Sequence, residues 1–299
     1  MHRLVYGLGG GLVYSCGSKG RWKQVLPKLL ATVDNAVLVS TVDMPRQAAK
    51  VIFDTVGQQR FYLDSGGFTL FKQQNKLGAD SPEFHQKCEA MRRKFLGLLQ
   101  VVHPTEVFEL DNEYFRKDED MLSPKNYCRQ DVYDILGRYP TPVFKMHQGF
   151  EYWKRLCESE LYDKLAIGGL AMTRDWDKHR DEFRKMMNYA RQCGKKVHLL
   201  GCQNVETFKT VKPDTVDYSI FQYAINLEHA RKEHPELQTY EELKIHAVLY
   251  AFARAKSRSF LYDSYMEDEQ DFVSQGEMVM VESAEGDHNE NPINHEIGE

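Results

Sequence analysis

No apolar stretch in this chain approaches the roughly 20 residues a membrane-spanning helix requires. With a mean hydropathy of -0.56, that architecture is excluded. The opening Met1-His2-Arg3-Leu4-Val5-Tyr6 lacks the charged-then-apolar pattern of a secretory signal. Six cysteines (Cys16, Cys88, Cys128, Cys157, Cys193 and Cys202) form no Cys-x-x-Cys pair. Neither a zinc knuckle nor a disulfide scaffold is indicated, and a reducing cytoplasm is the natural compartment. No internal repeat is present. Gly7-Leu8-Gly9-Gly10-Gly11 opens no Gly-x-Gly-x-x-Gly helix and is followed by no Gly-Lys-Ser/Thr, so it reads as a flexible loop after a first strand. His147 and His198 stand far apart, and the first strand holds no His-x-His pair, so no metal site is expected. Nothing in the composition asks for a cofactor.

Positive charge is missing from one end. After Arg258 there is no Lys or Arg, while twelve acids lie between Asp263 and Glu299. The rest of the chain holds 32 acids against 39 bases, a balance of +7 beneath an overall charge of -5. A basic body suits a polyanionic partner, although ordinary solvated surface gives the same excess. The acidic end, with its Ser, Gly and Asn, reads as a disordered tail over 263–299 that solubilises or competes with nucleic acid for the basic face.

What remains, residues 1–262, is large enough for one domain with a substantial core, at 42% hydrophobic residues overall. Short β-rich runs are expected as strands at Arg3–Leu8, Ala36–Val42, Arg60–Asp64, Glu106–Asp111, Pro142–His147, Lys164–Ile167, Lys196–Leu200 and Thr215–Ile220. Helical spacing of apolar residues marks Pro82–Val101, Pro124–Arg138, Asp177–Cys193, Val205–Val211 and one long stretch from about Leu227 to Ala255. Eight strands alternating with helices predict an α/β fold, a single (β/α)8 TIM barrel, with an open doubly wound sheet as the alternative. Polar residues and glycines gather where strands stop: Asp64 and Ser65, Asp111 and Asn112, His147 and Gln148, Gly168 and Gly169, Gly201, and Asp217 late in the last strand. In a barrel those ends share one face, where catalytic groups collect.

Leu63-Asp64-Ser65-Gly66-Gly67-Phe68 is the most informative of these ends. Two glycines let backbone approach a flat ligand, the acid can move a proton, and the aromatic can stack. The plain alternative is turn chemistry, since Asp-Ser before Gly-Gly turns well. Lys19, Arg21, Lys23, Lys72 and Lys76 follow the first and third strands and suit phosphate contacts, or simply surface.

With His147-Gln148-Gly149, Ile167-Gly168-Gly169-Leu170-Ala171 and His198-Leu199-Leu200-Gly201, this motif stands in the order and spacing of the tRNA-guanine transglycosylases, and the chain resembles that family from Phe61 to Ser219. The resemblance implies base exchange. An aspartate on the last strand attacks C1′ of the sugar, guanine leaves, and a free 7-deazaguanine base takes its place. By the resemblance Asp64 is the acid/base, Phe68 stacks on the base beside Ser65 and Gly66, and Asp111 reads the guanine edge. Gln148 and the backbone of Gly168-Gly169-Leu170 add contacts, and Leu200 covers the other base face. The family's cysteine-histidine zinc element has no counterpart here, nor has the insertion carrying it. In place of Asp-x-Phe-Asp stands Val216-Asp217-Tyr218-Ser219-Ile220, which leaves Asp217 as the nucleophile. A zinc-free chain looks like the DNA-modifying branch, which places preQ0-like bases in phage or bacterial DNA. The expected partner is therefore DNA, with tRNA as the alternative. A non-catalytic nucleic-acid-binding partner that has lost the nucleophile is the other alternative.

Overall fold

The computed structural model describes residues 4–9, 12–13, 16, 20–169, 176–202, 205–218 and 227–282. Eight short strands appear in chain order: β1 (Leu4–Leu8), β2 (Val37–Ser40), β3 (Phe61–Asp64), β4 (Glu106–Val107), β5 (Val143–Phe144), β6 (Lys164–Ile167), β7 (Lys196–Leu199) and β8 (Thr215–Tyr218). Between and after them lie α1 (Trp22–Leu30), α2 (Arg46–Val56), α3 (Gly67–Leu77), α4 (Pro82–Leu99), α5 (Arg129–Leu136), α6 (Phe150–Glu158), α7 (Trp176–Gln192), α8 (Val205–Val211), α9 (Leu227–Glu233) and α10 (Tyr240–Glu282). The strands form one sheet in the order β4-β3-β2-β1-β8-β7-β6-β5. Every pairing in it is parallel.

Because β1 pairs with both β2 and β8, the sheet curls round on itself. The ends of the order, β4 and β5, meet through a single parallel bridge, Phe108 with Thr141. Thr141 N–H donates to Val107 O at 2.8 Å, and Glu109 N–H donates to Thr141 O at 3.0 Å. The result is a TIM-like arrangement: an eight-stranded, curled parallel sheet surrounded by helices.

Strand alternation divides the core in two. Leu4, Tyr6, Val37, Val39, Phe61, Leu63, Leu165 and Ile167 point outward and join the large cluster built with the helices. Val5, Leu38, Tyr62, Phe108, Val143 and Ala166 point inward and pack on one another, with Leu200 against them. Helices on the outside and side chains on the inside explain why β1 is buried along its whole length instead of alternating with polar residues. Local signals start α4. Ser81 Oγ accepts from Phe84 N–H at 3.1 Å, and Pro82 sits at the first position of α4, where its missing N–H costs nothing.

Several boundaries differ from the sequence reading, and α1, α2, α3 and α6 stand where it named no helix. The fourth and fifth strands were expected at Glu106–Asp111 and Pro142–His147, and each is two residues long. The cause is a side chain in the ladder: Glu109 Oε1 accepts the Val143 N–H at 2.8 Å, where a backbone carbonyl would continue the pairing. Met146–Gln148 then form a 3₁₀ turn, with His147 exposed. The long terminal helix is two helices, interrupted at Pro235. Its second part is restarted by Thr239, whose hydroxyl accepts from Glu242 N–H at 3.2 Å while the Glu242 carboxylate accepts the Thr239 N–H at 3.0 Å. Finally, α10 runs on to Glu282, past the expected end near Ala255, and residues 283–299 lie outside the described residues. Among the described residues no helix is long and apolar enough to cross a membrane.

Candidate active site

All eight strands run the same way, so their carboxyl ends open on one face. The register there is informative. Phe144 pairs with Ile167, Ile167 with Leu199, and Leu199 with Val216, so the residues that follow, Lys145, Gly168, Leu200 and Asp217, lie side by side along the rim. Asp64 ends β3 opposite Ser40.

Asp64 is the electrostatic centre. Its carboxyl is pushed up to about 7, first by removal from water, then by the charges of Asp217 and Asp111; hydrogen bonds from Gly66 N–H and Ser40 oppose the shift. Gly66 N–H donates to Asp64 Oδ1 at 3.3 Å. The charges of both other carboxylates reach Asp64, although the three acids come from β3, the chain after β4, and β8. A carboxyl of this kind holds a proton near neutral pH.

Asp217 is buried. Its Oδ1 accepts from Gly201 N–H at 2.6 Å and lies 3.3 Å from His198 Nε2. His198 is wholly buried inside the sheet, its ring 4.8 Å from that of Phe108, and burial holds its pKa below the usual histidine value. The neutral imidazole therefore donates Nε2–H to the carboxylate. Its bare Nδ1, 2.8 Å away, accepts from the Thr215 hydroxyl. One carboxylate oxygen of Asp217 is thereby fixed.

Asp111 is wedged in. A Cβ on Gly67 would meet its Oδ1 at 1.7 Å, and one on Gly168 would lie 3.9 Å from its Oδ2 and 3.9 Å from Leu200 Cδ1. Lys145 Nζ reaches Asp111 Oδ2 at 3.2 Å and also donates to the Asp111 carbonyl. The glycines also make room for neighbouring side chains. Gly67 admits the Asp111 carboxylate, and Gly66 (φ +90°) and Gly168 admit Val42 and Val143, whose methyls would be 2.8 Å and 2.6 Å from an added Cβ. Gly169 is exposed, has φ +79°, and an added Cβ would meet nothing within 4 Å among the described residues.

The other predicted residues divide. Ser65 is buried, and its hydroxyl donates to Glu109 O at 2.7 Å, tying the end of β3 to the chain after β4. Phe68 is 43% exposed on the first turn of α3, with Lys72 Nζ 4.2 Å from its ring centre. Gln148 Oε1 accepts from Lys145 N–H at 2.8 Å, which leaves the amide –NH2 end for other partners. Leu170 and Ser219 lie outside the described residues, as does Lys19. The sequence gives Lys145 and His198 no role in the site. The signal for Lys145 was its place directly after the apolar pair Val143-Phe144, obscured by extending that strand to His147. Among the described residues no group of three or more His, Cys, Asp or Glu is placed to hold a metal ion.

No protein-family model matches the chain, and no curated protein matches it. Among solved structures, macrophomate synthase is similar over 80% of this chain and 87% of that one, at 10% identity and a TM-score of 0.38. At that level the likeness carries no argument about activity.

Proposed function

We propose that this protein is a glycosyltransferase that exchanges guanine in DNA for a 7-deazaguanine base through a covalent aspartyl–sugar intermediate, on a closed (β/α)8 barrel. The observation that carries the reading is the convergence of Asp64, Asp111 and Asp217, with Asp64 poised to hold a proton. Breaking the N-glycosidic bond builds positive charge on the sugar. Asp217, oriented by Gly201 N–H and His198, attacks C1′ with its free oxygen. The departing guanine takes the Asp64 proton, a contribution of about 10²–10⁴-fold. Asp111 accepts from the purine N1–H and 2-amino group, an arrangement that rejects adenine. The incoming base then returns its proton to Asp64 and displaces Asp217 from C1′. In duplex DNA the target nucleotide is flipped out first, at a cost of roughly a few kcal/mol. The closed barrel is supported by the bonds that join β4 to β5 across the Phe108–Thr141 bridge.

The test is incubation with a 7-deazaguanine and, separately, duplex DNA or tRNA, followed by digestion to nucleosides and mass spectrometry. Modified deoxyguanosine in the DNA arm, abolished in Asp217→Ala, is the expected result. Modification of tRNA alone overturns the DNA preference. The burial of Asp217, only 5% exposed, favours a second reading, a nucleic-acid-binding partner without catalysis. That reading gains if DNA binds and no adduct forms.

A further inference from the structure

The base-edge carboxylate does not stand alone. Lys145 follows β5 in the same rim register as Gly168, Leu200 and Asp217, and only 23% of its side chain is exposed, so the ammonium is folded into the site instead of extending into solvent. One of its three protons goes to the Asp111 main-chain carbonyl, and the ammonium is ion-paired with Asp111 Oδ2 at 3.2 Å. Donor capacity remains, directly beside a carboxylate that only accepts.

A donor next to an acceptor is a pattern, and few purine edges match it. Guanine and its 7-deaza analogues present a carbonyl acceptor at O6 adjacent to donors at N1–H and the 2-amino group. Adenine presents the reverse, a donor at N6 and a bare N1. Resting on the proposal that Asp111 reads the guanine edge, we infer that Lys145 is a specificity-determining residue that donates to the 6-oxo group of the purine while Asp111 accepts from N1–H and the 2-amino group. Adenine then meets a mismatch twice, its amine against the ammonium and its N1 lone pair against the carboxylate. The ammonium pairs with the carboxylate of Asp111. Its position is set by the end of β5, one residue past Phe144, and the carboxylate it meets there is the one held over Gly67.

The test is calorimetric titration of the full chain with guanine and with 6-thioguanine. The thio base keeps N1–H and the 2-amino group and offers sulfur, a poor acceptor, at position 6. The parent is expected to bind guanine more tightly. Lys145→Met is expected to weaken guanine by about 10–100-fold, the value of one hydrogen bond to a charged donor, and to leave 6-thioguanine nearly unchanged, so that the ratio collapses. Lys145→Arg, which keeps a donor, is expected to restore part of the ratio at an unchanged melting temperature. Equal weakening of both bases by Lys145→Met overturns the inference, because it makes Lys145 a support for Asp111 alone. Unchanged guanine affinity overturns it too. A parent that binds neither base overturns the guanine reading itself, a distinct result.

Discussion

Asp64 shows how a single residue links structure to pH. Its folded pKa of about 7 lies above the usual carboxylate value, so the native protein binds this proton more tightly than the unfolded chain does. The stability from that proton is complete below about pH 4 and is lost as pH rises through about 7. Asp64→Asn is therefore expected to raise the melting temperature at about pH 8, by up to about 4 kcal/mol of stability, with the gain vanishing near pH 4. Differential scanning fluorimetry across that range checks it. The same substitution should lower base exchange by about 10²–10⁴-fold, and the parent's turnover should fall above an apparent pKa near 7. Gly67 makes a second prediction. Alanine is the better helix former, and Gly67 opens α3, so local propensity favours Gly67→Ala. The Asp111 oxygen 1.7 Å from the new methyl opposes it. A net loss of about 1–3 kcal/mol in urea unfolding, together with lost guanine binding, is expected. No stabilisation from this glycine's replacement is compatible with Asp111 sitting where it does. The acids and glycines were legible in the sequence as strand-end residues. That a glycine was needed to make room for an acid more than forty positions away was not, because no local pattern records who fills the space a missing side chain leaves.

At the scale of elements, the seam between β4 and β5 is the unusual feature. Glu109 and Arg129 form a 2.7 Å ion pair with side chains 1% and 0% exposed. Arg129 also donates to Met121 O at 2.6 Å and lies 5.2 Å from the Tyr127 ring centre. Burial pushes the Glu109 pKa up and the guanidinium holds it back. Removing the cation strands a charge, so Arg129→Met is expected to cost about 3–5 kcal/mol in denaturant unfolding. Adding Glu109→Gln removes the charge and keeps an acceptor for the Val143 N–H, and should recover a large part of that loss. A double mutant as unstable as Arg129→Met would mean the seam depends on the guanidinium's other contacts. This seam is also where the strands end earlier than their composition predicts. β-rich composition marks where a strand exists, but a side chain that substitutes for a ladder bond ends it early. The split between α9 and α10 was readable, through Pro235 and the Thr239–Glu242 capping pair, and helical periodicity running across it hid the break.

For the molecule as a whole, charge is distributed against its own proposed substrate. Residues 283–299 carry five acids and no Lys or Arg, so deleting them brings the formal charge of -5 to neutral. Fluorescence anisotropy with duplex DNA is expected to show tighter binding by the truncated protein, about twofold to tenfold at low salt. The difference should disappear near 0.5 M salt, where the Debye length shrinks to a few ångströms. A gain that persists at high salt would point to direct blocking of the site instead. The sequence by itself determined the order of the eight strands, about half of the helices, and the presence of a polar group at nearly every strand end, because periods of two and 3.6 residues and turn chemistry are local properties. Only the tertiary structure decided which of those groups face each other. The proton held by Asp64, the fixed oxygen of Asp217 and the ammonium beside Asp111 each depend on a partner from another strand or the chain beyond it, and such a partner is set by how the sheet curls and where its register places the rim.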